Sequence, residues 1–287
     1  MGIVLGPNRY GKAETHLVRV YRDTPRHSIR DLLVSTSLQG EFEAAHVSGD
    51  QSAVLPTDTQ KNTVFAYAKE HGVDEIEGFA LRLARHFVSD SLSVTGARVE
   101  VDECGWDRIE VDGHGHDHAF VRRGQDVRTT TATVHDGDRA TVESGVKGLV
   151  VLKSTGSEFQ GFLRDGYTTL ADAADRILAT SLEARWRYER PEGDWSAGYS
   201  QTRAILLERF ATVHSKALQH TLWEMGRAVL EARPDIAEIH LTAPNKHHFA
   251  VDLSPFGLDN PGEVFYAADR PYGLIEATVQ RDDPNRQ

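Results

Sequence analysis

Three imidazoles alternate along Asp112-Gly113-His114-Gly115-His116-Asp117-His118. At i, i+2 and i+4 they share one face of a strand, and neutral imidazole is the commonest ligand for zinc or copper. No paired Cys or Glu pattern accompanies them, and the flanking Gly and Asp read as a loop tip. The expectation is a solvated hairpin loop, with no metal bound. Other familiar chemistry is missing from the sequence. It has no glycine-rich phosphate loop ending in Lys-Ser/Thr, no three-glycine dinucleotide fingerprint after a strand, and no Gly-x-Ser-x-Gly nucleophile turn. The single cysteine, Cys104, lies beside Gly105 and Trp106 and reads as a buried structural thiol.

Four other segments carry more information. Tyr10-Gly11-Lys12 precedes the opening strand, and Thr57-Asp58-Thr59-Gln60-Lys61-Asn62-Thr63 enters a helix. Leu152-Lys153-Ser154-Thr155-Gly156-Ser157-Glu158-Phe159-Gln160-Gly161-Phe162 leads to Arg164-Asp165, then Tyr167-Thr168-Thr169-Leu170 and Asp175-Arg176. Pro244-Asn245-Lys246-His247-His248-Phe249 lies near the end. Taken singly, each has a structural explanation: Thr57 and Asp58 as helix caps, Phe159 as core, Arg176 as a solvated charge.

The elements that must position these residues alternate between two periods. Residues 14–23 and 29–42 read as strands separated by Thr24-Pro25-Arg26. From Thr57 a helical face forms with Val64, Tyr67 and Ala68, and Gly72 is its stop. Ile76, Phe79, Ala80, Leu83 and Phe87 mark a second helix at i, i+3, i+4, i+7 and i+11. Strands return at 94–103 and about 106–121. The second half repeats that order, with a hairpin of 126–136 and 139–153 around Asp136-Gly137 and a helix from about Thr169 to Thr180. Strands follow near 183–190 and 202–211, then a helix through Leu218, Leu222, Met225 and Val229 that ends before Pro234. Ile239 to Leu253 and 274–280 read as strands again. The reading is α+β, two copies of one unit joined near Arg123-Gly124-Gln125, at 1–122 and 123–287. Long antiparallel strands with one helical layer leave sheet edges to be covered, and closure between subunits into a barrel would cover them.

Together the four segments come in a known order, and the chain resembles the urate oxidase (uricase) family of the tunnelling fold from Tyr10 to about Thr278. The match rests on Lys-Ser-Thr-x-Ser-x-Phe-x-Gly-Phe at 153–162, on Thr57-Asp58 with Lys61-Asn62-Thr63, and on Asn245-Lys246-His247. The resemblance implies two tandem tunnelling-fold units whose antiparallel sheets, with helices on one face, close into a β-barrel in a homotetramer. It implies a urate pocket at a subunit interface and oxidation by dioxygen without cofactor or metal, which counts against His114, His116 and His118 as catalytic. Phe159 matches the aromatic on which the purine stacks. Arg176 and Gln219 match the pair that grips its edge, with the Leu218 amide beside them. Thr57 and Asp58 match residues delivered by the neighbouring subunit, and Asn245 the residue over the ring face where dioxygen or water sits. Lys12, Thr57 and His247 match a proton relay. Gly156 and Gln160 replace bulkier or more polar residues, and the adjacent His248 leaves the choice of imidazole to the alignment with Asn245.

The residue types suit that chemistry. Urate is flat and anionic, edged with carbonyl oxygens and N–H groups. A guanidinium presents donors in one plane, a primary amide adds one donor and one acceptor, and an aromatic face supplies stacking. With 32 Lys+Arg against 43 Asp+Glu the formal charge is -11, which disfavours nucleic acid and anionic membranes but leaves room for a local basic pocket. No run approaches 18 apolar residues, so no helical span is expected. Ile3-Val4-Leu5 is too short for a signal-peptide core, and Gly6 stands where a myristoylation signal wants Ser or Thr. Pro284-Asn285-Arg286-Gln287 is not a peroxisomal address. With one cysteine, these readings point to the cytoplasm. Two alternatives stand beside the oxidase: a metal-dependent pterin or purine enzyme of the same fold using the triple-His segment, and a non-catalytic oligomeric purine-binding protein.

Overall fold

The structure, a computed structural model, describes residues 2–137 and 139–282. Pro284-Asn285-Arg286-Gln287, read above as no peroxisomal address, lies outside them. The chain divides into two compact units, residues 1–145 with 187–197, and residues 146–186 with 198–287.

The first unit holds β1 (Tyr10–Tyr21), β2 (Ser28–Gly40), α1 (Glu43–Val47), α2 (Thr57–Glu70), α3 (Ile76–Ser89) and β3 (Val94–Glu103). A short pair, β4 (Trp106–Val111) and β5 (His114–Arg122), precedes β6 (Val127–His135) and the start of β7 (Arg139–Lys153). Strand order in its main sheet is β1-β2-β3-β6-β7, with antiparallel pairing of β1 to β2, β2 to β3 and β3 to β6. Alternation sorts the two faces: Leu32, Val34, Thr36 and Leu38 of β2, Val99 and Val101 of β3, and Ala132 and Val134 of β6 are buried. α3 packs on β3 and β6 with Ile76, Phe79, Ala80, Leu83 and Phe87 inward, and α2 lies against β1. Each fully buried large side chain here stabilises the fold by about 1.5–3 kcal/mol over leaving it in water. Glu77, wholly buried on α3, is matched by Arg128 at 2.7 Å and by the Ser144 hydroxyl at 2.5 Å, so its charge is paired within the core.

The second unit holds the rest of β7, most of β8 (Leu178–Tyr188) and of α4 (Trp195–Thr212), then α5 (Leu218–Ala232), β9 (Ile236–Ala250) and β10 (Phe265–Gln280), in sheet order β7-β8-β9-β10. β9 and β10 pair antiparallel, and α5 covers them with Leu218, Leu222, Met225 and Val229 against Ile239, Leu241 and Ala243. Most strands and the helices α2, α3 and α5 stand where the sequence periods place them. The α+β architecture with antiparallel pairing is as expected.

Three local readings are corrected. Residues 169–177 are not helical: Asp172 and Asp175 accept hydrogen bonds from backbone N–H groups of Gly161, Gly156 and Ser157, which commits the segment to a loop until β8 begins at Leu178. Residues 202–211 belong to α4. The apolar run around Leu206 suggested a strand, but Gly198, Thr202, Leu206 and Phe210 are buried at four-residue intervals, a helical stripe. Residues 106–121 are two strands, folded at Asp112-Gly113, whose positive φ values of 52° and 75° make the tight turn.

Candidate active site

Lys12, Thr57 and Asp58 lie in the first unit. Lys12 stands on β1 at a bulge between Lys12 and Thr15, where Glu14 takes φ 53°. Its neighbour Gly11 passes so close to β2 that a Cβ there would sit 1.8 Å from the Thr36 carbonyl oxygen, so only glycine fits. A buried relay of hydrogen bonds joins this strand to the start of α2. The Lys12 N–H donates to Thr36 Oγ1 at 3.3 Å, and the Thr36 hydroxyl donates to Gln60 Oε1 at 2.7 Å. Gln60, 0% exposed, donates in turn to the Leu55 carbonyl at 3.4 Å, which also accepts the Tyr10 hydroxyl at 3.0 Å. Thr57 is the first residue of α2, after Pro56, and makes no cap; among the described residues its half-buried hydroxyl has no hydrogen-bond partner. Asp58, exposed, accepts from Lys61 and from Asn62, the latter at 3.0 Å. The Lys61 hydrogen bond and charge hold its carboxyl below the usual range, and the charge of Lys12 acts in the same direction.

The second unit holds the other six residues. Phe159 sits in the long loop after β7, its backbone paired both ways with Ala173 at 2.8 and 3.0 Å. The Arg176 guanidinium stands 5.1 Å from the Phe159 ring centroid. Burial pushes the Arg176 pKa down, and its Nε is buried with no partner among the described residues. A half-buried cation with an unused, buried donor suits an anion. The loop that carries the pair is braced by Asp175, whose carboxylate accepts from the Thr155 hydroxyl at 2.6 Å and from the Gly156 N–H at 2.9 Å. The Thr155 bond, ahead of the backbone donors, lowers its pKa.

Backbone bonds tie this loop to the start of α5. Arg176 N–H donates to the Ser157 carbonyl at 2.7 Å, Glu158 N–H to the Ser215 carbonyl at 2.8 Å, and Ser215 N–H to the Gly156 carbonyl at 2.9 Å. The Thr221 hydroxyl donates to Ser215 Oγ at 2.7 Å. Leu218 and Gln219 follow directly as the first two residues of α5, where backbone N–H groups have no partner inside the helix. Leu218 is buried and Gln219 exposed. Asn245 and His247 lie on β9 opposite Gly273 and Ala268 of β10. With Phe249 they share one strand face, and the His247 and Phe249 rings stack with centroids 5.8 Å apart. His248 points the other way, its Nδ1 3.1 Å from the Lys246 carbonyl, so alternation settles that His247 shares the Asn245 face.

His114, His116 and His118 are on β5 rather than in a loop tip. The His116 and His118 rings meet edge to face at 4.5 Å, and among the described residues no group of three His, Cys, Asp or Glu side chains is placed to hold a metal ion. Nothing in the spacing of Thr36, Gln60, Asp175 or Ser215 marks them as supports, although Gln60 and Asp175 stand in the quoted segments.

A sequence model described as Uricase matches residues 8–133 and 142–276. The chain belongs to the uricase family. It is 56% identical over 280 residues to the uricase of Arthrobacter globiformis, covering 98% of this chain and 91% of that protein, and 37% identical over 277 residues to that of Danio rerio, covering 95% and 93%. The crystal structure of the Arthrobacter globiformis uricase superposes with a TM-score of 0.94 at 55% identity, covering 99% of each chain. That of a uricase from Bacillus fastidious gives 0.83 at 27% identity, covering 95% of this chain and 93% of that one. As a uricase-family enzyme the chain is a urate oxidase, and no helix of the described residues is long and apolar enough to cross a membrane.

Proposed function

We propose that the chain oxidises urate by a cofactor-free route, in which urate, dioxygen and water give 5-hydroxyisourate and hydrogen peroxide. The observation that carries this reading is the Arg176–Phe159 pair, a half-buried guanidinium whose buried Nε has no partner among the described residues, beside an aromatic face. A planar anion can stack on the ring while its deprotonated edge meets the cation, and the local charge opposes the acidic surface. Gln219 and the Leu218 amide complete the grip on the edge, and Asn245 holds dioxygen, then water, over the ring.

In this reading Lys12, Thr57 and His247 move protons. Loss of a second proton makes urate an electron-rich dianion, which passes one electron to triplet dioxygen. The radical pair joins at C5 as a peroxide, hydrogen peroxide departs, and water adds at C5. Thr57 and Asp58 come from a neighbouring subunit in a homotetramer, whose sheets close into a barrel from two tandem tunnelling-fold units, 1–122 and 123–287. The lone cysteine supports a cytoplasmic setting.

The test is the full chain, treated with chelator, mixed with urate in air. Loss of the near-ultraviolet absorbance of urate with equimolar oxygen uptake and peroxide formation is expected. No oxygen uptake, or activity that returns only with added metal, overturns the proposal.

A further inference from the structure

We infer that Phe162 is a positioning residue for Phe159, holding the plane of the ring on which the substrate stacks; this rests on the functional reading above. The two rings are stacked, centroids 4.9 Å apart and planes within 10°. Parallel rings meet face to face, so Phe162 covers part of one side of Phe159; the Arg176 guanidinium also meets that ring, 5.1 Å from its centroid. The need for such a partner is physical. The ring torsion of phenylalanine is broad, so the plane of a half-buried ring is set by what packs on it and not by its own rotamer.

Phe162 is itself held in place. The Arg164 guanidinium lies 4.6 Å from its centroid. Arg164 donates to the Leu170 carbonyl at 3.0 Å and pairs with Asp172 at 3.3 Å, and Asp172 also accepts the Gly161 N–H at 3.2 Å. Cation, ring and ring form one stack, anchored at its outer end by a carboxylate and a carbonyl. The ligand class is a planar, anionic fused-ring heterocycle, stacked on Phe159 beside the Arg176 guanidinium.

The experiment compares Phe162→Leu, Phe162→Ala and Phe162→Tyr with wild type, measuring kcat and KM for urate, the Kd of xanthine as an unreactive flat purine, and the melting temperature. Leucine keeps an apolar side chain of similar bulk but has no flat face. In Phe162→Leu, KM and the xanthine Kd should rise together by about three- to ten-fold, the worth of an aromatic pair, with kcat within about two-fold. Phe162→Tyr should restore wild-type values. If Phe162→Ala unfolds, the other two variants decide. Unchanged KM and Kd in Phe162→Leu, a fall in kcat alone, or failure of tyrosine to restore binding overturns the inference. Wild type that leaves urate untouched would instead overturn the functional reading.

Discussion

Replacing Thr36 by valine tests the hydrogen-bond relay that sets Lys12 against the start of α2. Thr36 is 4% exposed and Gln60 fully buried, so neither can turn to water when a partner is lost. Valine keeps the shape and removes the hydroxyl. Gln60 Oε1 then loses the 2.7 Å donor, its one partner among the described residues, and the Lys12 N–H loses its 3.3 Å acceptor. An orphaned buried acceptor costs about 1–3 kcal/mol, and the longer, half-buried bond adds about 0.5–1 kcal/mol. The strand preference of valine returns a few tenths of a kcal/mol. The net loss is about 1–4 kcal/mol, or roughly 2–15 °C in melting temperature for a unit of this size. Urea unfolding and scanning calorimetry at one protein concentration measure it, with Thr36→Ser as the control that retains the oxygen. In the functional reading, kcat falls more than KM rises, because the relay positions a proton carrier and not the ring. A Thr36→Val protein within about 0.5 kcal/mol of wild type, a difference no larger than a neutral surface change, would refute the reasoning.

Arg176→Gln should lower kcat/KM for urate by about 10- to 150-fold, the worth of a charge-assisted hydrogen bond; a change under about three-fold would contradict the assigned role. Asp31, 4% exposed, tests pH dependence. Burial alone raises its pKa, but hydrogen bonds from His16 and Trp106, with the charges of His16 and Arg122, bring it net below its ordinary value. Its stabilisation is therefore present above about pH 4 and lost as pH falls through the depressed value, so Asp31→Asn should cost stability at pH 7 and progressively less toward pH 3. A penalty constant across urea midpoints from pH 3 to 7 would count against this. In Gly226→Ala the new Cβ would lie 2.5 Å from Val279 Cγ2, which should destabilise by about 1–3 kcal/mol despite the better helix propensity of alanine. Adding Val279→Ala should recover part of the loss, and strict additivity in the double mutant would rule out the clash.

Much of this fold is legible from residue periods because the face that must be dry repeats at the period of its element. Ile76 to Phe87 and Leu218 to Val229 could only be amphipathic helices, and Val99 with Val101 could only be one side of a strand. Reading failed where polar side chains take over the backbone, at Asp172 and Asp175, and where a dense apolar run hid a four-residue period in α4.

For the candidate site, it is the resemblance of the ordered segments to the uricase family that points to Phe159, Arg176, Lys12, Thr57 and the Asn245-Lys246-His247 run; a ring, a fork of donors and proton carriers suit a flat anion, but singly each residue type has a structural explanation. The tertiary structure decided what no spacing encodes. It placed Arg176 over the Phe159 ring with an unused donor, set the triple histidines on a strand, and recruited Thr36, Gln60, Asp175 and Phe162 as supports. Those are contacts between residues distant in sequence or turned by a loop, and their energy depends on burial and orientation, quantities that exist only once the chain has folded.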